Sequence, residues 1–201
     1  MSRVLILGGT GFIGAELAQF LFQNGVDVTV TSRKKDNSEE NVQVIQIDLR
    51  DNQAVRRLFK TENPAYIINL TGMKNSKHEL ISTKKAYRDD KSVVSNILES
   101  VCYLSKLKRF ITLGSCDEYG QCTGAFSENT IENPINSYGE YKLSITKEIV
   151  RLYKGSSLPG VVLRPSVVYG FKKPNNMFIS SLIDTAVSGG DFDMTSGSQL
   201  R

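Results

Sequence analysis

The sequence predicts an α/β fold built on a doubly wound parallel sheet, and three observations support this prediction. Short apolar segments alternate with segments of helical periodicity, few polar residues interrupt the apolar segments, and a glycine-rich turn follows the first of them. Nearly continuous apolar strands are typical of a parallel sheet that helices cover on both faces. Right-handed crossovers between such strands produce a doubly wound sheet.

The elements can be assigned in order along the chain. Asn24 and Gly25 end the first helix, Asp51 caps the second, and Pro64 follows its end. Apolar residues at spacings of three and four predict a long third helix, and Ser137 caps the fourth. The predicted strands are 4–7, 26–31, 42–47, 66–70, 109–113 and 160–163, and the predicted helices are 12–23, 51–61, 83–105, 137–154 and 176–189.

The composition is that of a globular protein, with 40% hydrophobic and 23% charged residues among 201. A net charge of +4 carried by scattered basic residues argues against a nucleic-acid groove. Three cysteines without metal-ligand spacing predict neither a metal site nor a disulfide framework. Because the sequence has no membrane-spanning apolar run and no signal peptide, we expect a cytoplasmic protein with no membrane partner.

The glycine-rich turn has the spacing of a dinucleotide-binding loop. The segment R-V-L-I-L-G-G-T-G-F-I-G puts Gly8, Gly11 and Gly14 between the first strand and the first helix. Gly8 allows a tight turn, Gly11 allows the backbone to approach a phosphate, and Gly14 allows the helix to pack closely on the strand. The N–H groups at the start of the helix then point at a pyrophosphate.

The end of the second strand indicates which dinucleotide is preferred. A site for NAD usually has Asp or Glu there, which binds the ribose 2′-hydroxyl group. The segment T-S-R-K-K has no acid, and Arg33, with Ser32 and Lys34 beside it, suits a 2′-phosphate. We therefore expect NADP(H) as cofactor, with NAD as the alternative if Arg33 belongs only to a solvated basic turn.

Six motifs along nearly the whole chain resemble those of one enzyme family. They are G-G-T-G-F-I-G at 8, D-L at 48, N-L-T-G at 69, L-G-S-C-D-E-Y-G at 113, Y-G-E-Y-K at 138 and R-P-S-V-V-Y-G at 164. In this order and spacing they resemble the extended, nucleotide-sugar-modifying branch of the short-chain dehydrogenase/reductases, the NAD-dependent epimerase/dehydratase family. The resemblance implies a Rossmann domain at 1–170 and, at 171–201, the start of a substrate-binding lobe. Because G-S-Q-L-R at 197–201 resembles a segment that normally leads into the rest of that lobe, we expect the lobe to be truncated.

The resemblance also implies a set of cofactor contacts, from the phosphate turn to the nicotinamide. Asp48 and Leu49 would flank the adenine, although they also fit a plain strand-to-helix turn. Lys74 matches a cofactor-contacting lysine of the sugar 4-epimerases. The full implied set is Gly8, Thr10, Gly11, Phe12, Ile13, Gly14, Arg33, Asp48, Leu49, Leu70, Thr71, Gly72, Lys74, Lys142, Pro165 and Val167.

Three residues match the catalytic residues of the family. Tyr138 and Lys142 form its Tyr-x-x-x-Lys pair, and Ser115 stands where the family has Ser or Thr. Residues four apart share one face of a helix, and a nearby ammonium group favours the phenolate form of tyrosine. The resemblance implies that Tyr138 exchanges a proton with a sugar oxygen, that Ser115 hydrogen-bonds this oxygen, and that Lys142 also holds the nicotinamide ribose.

The residues after Ser115 bear on which reaction is catalysed. The family's dehydratases have Asp and then Glu directly after the catalytic Ser or Thr, but here Cys116 intervenes, which argues against dehydration. The segment resembles that of nucleotide-sugar 4-keto reductases, and a preference for NADP(H) agrees with reduction. We therefore expect NADP(H)-dependent reduction of the 4-keto group of a nucleotide sugar. An NAD-dependent 4-epimerase stays open, since Lys74 matches those enzymes and Cys116 could act as an acid.

The substrate side departs from the family pattern. The family's R-x-x-N motif, whose Asn binds the substrate diphosphate, reads R-P-S-V here, so Asn176, soon after it, is the candidate for that role. Asp117 is a candidate ligand of the sugar, and Cys116 is the third candidate substrate-binding residue. A non-catalytic NADP(H)-binding or sensing module is the alternative from another class. The resemblance also implies a homodimer through the helices at 83–105 and 138–154. Two single residues have plainer expectations: Cys102 in the core and His78 in an exposed loop.

Overall fold

A computed structural model describes residues 3–34, 41–72, 80–121, 124–170, 178–194 and 196. For residues 80–88 it describes only the backbone. Within these residues strands and helices follow in the predicted order. The strands are β1 (Val4–Leu7), β2 (Val28–Ser32), β3 (Gln43–Gln46), β4 (Tyr66–Asn69), β5 (Arg109–Leu113) and β6 (Gly160–Leu163). The helices are α1 (Phe12–Gln23), α2 (Asn52–Glu62), α3 (Leu80–Val101), α4 (Ser137–Ser156) and α5 (Phe178–Ser188), with a 3-10 turn at Cys116–Glu118.

The six strands form one parallel sheet in the order β3-β2-β1-β4-β5-β6. The chain starts at β1, winds outwards to β3, and then returns to β4 on the other side of β1. The carboxyl ends of β1 and β4 are therefore the place where the winding reverses, and this is where doubly wound sheets bind ligands. The predicted doubly wound parallel sheet is confirmed.

Two apolar clusters cover the two faces of the sheet. The larger joins one face of β1, β4 and β5 to helices α2, α3 and α4, with Phe59, Ile97 and Phe110 almost fully buried. The smaller lies between α1 and the other face of β1 and β2, around Ile6 and Val30. Because Leu5 and Ile6 alternate between the clusters, β1 is buried on both faces, as its continuous apolar sequence predicted.

Several predictions about boundaries need correction. The long helix runs from Leu80 to Val101 and not from 83 to 105. Cys102 therefore follows the helix and is exposed, so its prediction as a core residue was wrong. The cap of α4 is Asn136, whose side chain accepts a hydrogen bond from the Gly139 N–H, and Ser137 is already helical. Asp51 does cap α2, by accepting from the Ala54 N–H.

The region after β6 contributes little to this core. None of the described residues of α5 is buried. The division of the chain at residue 170 stays a prediction. Over the part of the chain that the structure describes, no helix is long and apolar enough to cross a membrane. Within that same part, no group of three His, Cys, Asp or Glu side chains is arranged to hold a metal ion.

Candidate active site

The phosphate turn lies at the carboxyl end of β1. Gly8 has φ of 77°, a left-handed conformation, and its N–H donates to Thr31 Oγ1 on β2 at 3.1 Å. A Cβ atom added to Gly14 would lie 2.7 Å from the Gly8 carbonyl oxygen, so α1 begins in direct contact with the turn. These are the tight turn and the close helix packing that the glycine spacing predicted.

The start of α1 suits an anion. Gly11 is its cap residue and has no side chain to accept from the first N–H groups. The first turn of α1, all of which the structure describes, carries no acidic residue. A helix amino terminus without a competing carboxylate presents a partial positive charge, and a pyrophosphate fits this cradle.

The turn faces the end of β4, on the other side of the reversal point. A Cβ atom on Gly8 would lie 3.3 Å from the backbone of Leu70 and Thr71. Asn69 fixes this backbone, because its buried side chain accepts from the Thr71 N–H at 3.2 Å and donates to Thr112 Oγ1 at 3.1 Å. The structure thus brings the predicted residues of the first and fourth strands together, with Asn69 as an anchor that sequence reasoning missed.

The end of β2 carries the basic residues of the predicted 2′-phosphate site. Arg33 and Lys34 are exposed, and the Ser32 hydroxyl accepts from Thr10 Oγ1 and from the Lys34 N–H, both at 3.2 Å. The Thr10 bond ties the phosphate turn to the end of β2. Arg33 and Lys34, two cationic residues that can donate hydrogen bonds to oxygen, therefore follow the residue that contacts the turn, and this suits a phosphate group more than a ribose hydroxyl alone.

The predicted adenine residues have separate environments. Arg50 holds the carboxylate of Asp48 by side-chain and backbone hydrogen bonds, and this lowers the pKa of Asp48 to about 2. Leu49 is buried and packs in the larger core cluster. Asp48 is exposed whereas Leu49 is buried, so of the two it is Asp48 whose side chain is accessible to a ligand.

Lys142 is buried between the carboxyl ends of β4 and β5. Its ammonium group donates to the Leu113 carbonyl oxygen at 3.0 Å and lies against Gly72, where an added Cβ atom would be 3.3 Å away. Nζ lies 5.8 Å from the centre of the half-buried Tyr138 ring, so the two residues share one face of α4 as predicted. Burial lowers the pKa of Lys142, although the charges of Asp90 and Glu118 oppose this shift.

Ser115 lies just after β5, on the same edge of the sheet. It begins the 3-10 turn, where its side chain accepts from the Asp117 N–H at 3.2 Å. It is 8% exposed. Leu113, whose carbonyl oxygen binds Lys142, precedes it by two residues, so Ser115 and Lys142 belong to one neighbourhood.

The predicted substrate residues that the structure describes are on this turn too. Cys116 is half-buried, and burial with the nearby Asp117 charge raises the pKa of its thiol. The Cys116 N–H donates to the Pro165 carbonyl oxygen at 3.1 Å, which brings the segment after β6 beside the turn. Val167 in that segment is 49% exposed. Lys74, His78 and Asn176 lie outside the described residues.

Sequence reasoning missed two groups of polar residues behind the site. Tyr141 donates a hydrogen bond to Asp90 on α3, close to Lys142. Glu118, which is completely buried, forms an ion pair with Arg164 at the end of β6. The pattern Ser-x-x-Glu at 115–118 is the signature of a capping box and could have identified Glu118, whereas no local pattern indicates Asp90.

The chain is similar to several characterised proteins. It is 26% identical over 197 residues to dTDP-6-deoxy-L-talose 4-dehydrogenase (NAD(P)(+)) from Kitasatospora kifunensis, over 94% of this chain and 61% of that protein. It is 23% identical to dTDP-D-glucose 4,6-dehydratase from Dictyostelium discoideum, over 92% of this chain and 48% of that protein. The UDP-glucose 4-epimerase from Lactobacillus helveticus is also 23% identical, over 99% of this chain and 67% of that protein.

Solved structures share the fold. The UDP-glucose 4-epimerase of Thermotoga maritima, solved with UDP-glucose, matches with a TM-score of 0.85 at 22% identity, over 97% of this chain and 66% of that one. The chain thus spans 61% and 48% of the length of the first two curated relatives. The model of the NAD-dependent epimerase/dehydratase family matches residues 4–201, and the chain belongs to this family.

Proposed function

We propose that this chain binds NADP(H) and reduces the 4-keto group of a nucleotide-activated sugar. The observation that carries the proposal is the buried ammonium group of Lys142, held between the ends of β4 and β5 and 5.8 Å from the Tyr138 ring. Burying a lysine ammonium group costs free energy, so a lysine that is kept buried is a candidate for a functional role. This one lies at the carboxyl ends of the strands, where a cofactor would bind.

The proposed chemistry assigns one role to each of three side chains. Tyr138 gives the proton of its hydroxyl group to the sugar oxygen, and the Lys142 charge stabilises the phenolate that remains. The Ser115 hydroxyl donates a hydrogen bond to the same oxygen and stabilises the charge that develops on it. The cofactor, when bound, supplies the hydride that reduces the carbonyl carbon.

The remaining residues of the cofactor site bind and orient. The glycine turn and the start of α1 would hold the pyrophosphate, and Lys142 would also donate to hydroxyl groups of the nicotinamide ribose. Arg33 would bind the 2′-phosphate, and this assignment is supported by its exposure beside Thr10 and Ser32. A reaction at C4 is supported by the relative named a 4-dehydrogenase that uses NAD(P)(+).

Epimerisation at C4 is the second candidate, because a UDP-glucose 4-epimerase is among the relatives at 23% identity over 99% of this chain. Dehydration has less support. Cys116 and Asp117 stand at the positions of the dehydratase Asp and Glu, and Glu118, the next residue, is completely buried and bound to Arg164, so its carboxylate is not available to a substrate.

The first test is a fluorescence titration of the chain with NADPH and with NADH. We expect NADPH to bind at least about tenfold more tightly, since a charge-assisted bidentate contact contributes about 1.5–3 kcal/mol. Arg33→Ala should lose most of this preference, whereas Arg57→Ala, a change of equal charge on an exposed part of α2, should keep it. Equal affinities, or NAD that copurifies with the protein, would contradict the NADP(H) assignment and favour the epimerase.

The second test is turnover with dTDP-6-deoxy-L-talose and NADP, read as NADPH formation, because this runs the proposed reaction in reverse. Tyr138→Phe keeps the ring and removes only the hydroxyl group. We expect it to lower kcat by about 10²–10⁴-fold while NADPH still binds. Binding of NADPH by a wild-type chain that turns over neither this sugar nor UDP-glucose would favour the non-catalytic binding module.

We also propose that the chain forms a homodimer through α3 and α4. The proposal is supported by a groove of about 700 Å³ lined by both helices. It is also supported by two exposed aromatic side chains, Tyr103 in the lining of that groove at 83% exposure and Tyr153 on α4 at 61%. Light scattering should give twice the chain mass of 22.3 kDa. A monomer at micromolar concentration would contradict it.

A further inference from the structure

Glu118 is a fully buried carboxylate that connects three separate elements near the proposed catalytic residues. Its Oε1 accepts from the Ser115 N–H at 2.9 Å. Its Oε2 accepts from Thr146 Oγ1 on α4 and from Arg164 Nε at the end of β6, both at 2.8 Å. A Cβ atom on Gly114 would lie 2.3 Å from Oε1. Glycine therefore leaves the space in which the Glu118 carboxylate lies, and a larger residue would fill that space.

The chemistry of these partners requires a carboxylate. The Ser115 N–H and Arg164 Nε only donate hydrogen bonds, and they bind different oxygens of Glu118. A glutamine has one acceptor oxygen and one donor NH2 group. Whichever way its amide is turned, its NH2 group faces one of these two donors, and a buried donor is left without an acceptor.

The three partners carry the parts of the proposed site. Ser115 supplies the hydroxyl group. Thr146 lies one helical turn after Lys142, and two turns after Tyr138, on the same face of α4. Arg164 precedes Pro165, whose carbonyl oxygen binds the Cys116 N–H. Glu118 therefore links the Ser115 turn directly to the Tyr-Lys face of α4, in addition to the bond from Lys142 to the Leu113 carbonyl oxygen.

We propose that Glu118 is a positioning residue, which holds Ser115 in register with Tyr138 and Lys142. This inference rests on the proposed function, because it gives those three residues their catalytic roles. It predicts that the Glu118 carboxylate governs turnover much more than NADPH affinity, because the phosphate turn and Arg33, which carry most of the proposed affinity, lie at the ends of β1 and β2, away from these contacts.

The test compares Glu118→Gln and Thr146→Val with the wild-type chain, and uses Thr146→Ser as the conservative control. For each we would measure the NADPH dissociation constant, kcat with dTDP-6-deoxy-L-talose and NADP, the pH dependence of kcat, and hydrogen exchange at the Ser115 amide. Glu118→Gln should lower kcat by about 100-fold, the loss typical of a 1 Å misplacement. Its NADPH affinity should stay within about twofold, its pH profile should shift, and its Ser115 amide should lose protection.

Thr146→Val removes one of three donors to Glu118 and preserves side-chain volume. We expect a loss of kcat of about fivefold, typical of one hydrogen bond, and recovery of kcat in Thr146→Ser. This variant decides the question if Glu118→Gln does not fold. Wild-type kcat in Thr146→Val, or loss of NADPH binding in proportion to turnover in either variant, would overturn the proposal, because a merely structural role lowers both together.

Failure of the proposed function gives a different result. If the wild-type chain turns over neither sugar, or Tyr138→Phe keeps full activity, the proposed reaction is wrong. The exchange measurement still decides the role of Glu118, since it needs no turnover. Loss of Ser115 protection in Glu118→Gln with intact NADPH binding supports positioning of Ser115, and retained protection overturns it.

Discussion

The close packing of α1 on the phosphate turn makes Gly14→Ala a substitution whose steric effect can be worked out from the structure. The added Cβ atom would lie 2.7 Å from the Gly8 carbonyl oxygen, 2.7 Å from Gly9 Cα and 2.8 Å from the Gly9 carbonyl carbon. All three are backbone atoms, so no side chain can rotate away. The helix and the turn must separate by several tenths of an ångström, and the N–H groups of the turn move with them.

Gly155 provides a matched control for the magnitude. It lies in the last turn of α4, and an added Cβ atom there would meet nothing within 4 Å. Replacing an unstrained helical glycine by alanine stabilises a protein by about 0.5–1 kcal/mol, and this gain applies at both positions. Overpacking costs about 1–3 kcal/mol and applies only at Gly14. The free energy of unfolding should therefore be lower in Gly14→Ala than in Gly155→Ala by about 1–3 kcal/mol.

Urea unfolding of both variants measures this difference, and an NADPH titration measures its effect on the site. Loss of one charge-assisted contact to the pyrophosphate should weaken NADPH binding by about 10–100-fold in Gly14→Ala, and Gly155→Ala should bind like wild type. Equal unfolding midpoints in the two variants, together with NADPH affinities within twofold, would refute the argument that this contact shapes the site.

Three further predictions concern charged and thiol groups. Lys142→Met should lower kcat by about 10²–10³-fold, yet urea unfolding should show no loss of stability, because the substitution removes an ammonium group whose pKa burial lowers. Arg50→Ala should raise the pKa of Asp48 from about 2 towards its ordinary value in a carboxyl NMR titration. The stability that the Asp48–Arg50 pair adds is present above the ordinary pKa of the carboxyl group and is lost as the pH falls through about 2. Iodoacetamide should modify the exposed Cys102 before Cys116, whose thiol is half-buried and has a raised pKa, as peptide mass spectrometry would show.

Much of the fold could be predicted because its signals are local. Apolar runs identified all six strands, and the boundaries of every strand and helix except α3 matched within two residues, because caps and turn residues are written in the sequence, as at Asp51. The errors arose where the local signal allowed more than one boundary. Asn136 and Ser137 are both good caps, and Leu104 continues the apolar spacing of α3 after the helix has ended at Val101.

Parts of the candidate site could be predicted from local sequence and parts could not. The glycine turn and the Tyr-x-x-x-Lys face of α4 have fixed residue spacings, and these spacings can be recognised in the sequence. The supporting contacts join distant segments: Asn69 binds Thr112, and Glu118 binds Arg164, 46 positions away. No periodicity records such pairs, because either partner alone fits an ordinary exposed position.

The site has a cofactor half, around the glycine turn and the end of β2, and a chemical half, around Ser115, Tyr138 and Lys142. We expect the two halves to respond differently to substitution. The cofactor half combines the backbone of the glycine turn with the side chains of Arg33 and Lys142. In the turn the weak points are glycines, and changes there should act on NADPH affinity through sterics. The chemical half is held by a buried carboxylate with obligate donors around it, so its weak points are hydrogen-bond partners, and changes there should act on turnover. Suppose that substitutions at both Gly14 and Glu118 lower NADPH affinity and kcat together. The two halves would then behave as one mechanical unit, and there would be no basis for treating Glu118 as a positioning residue.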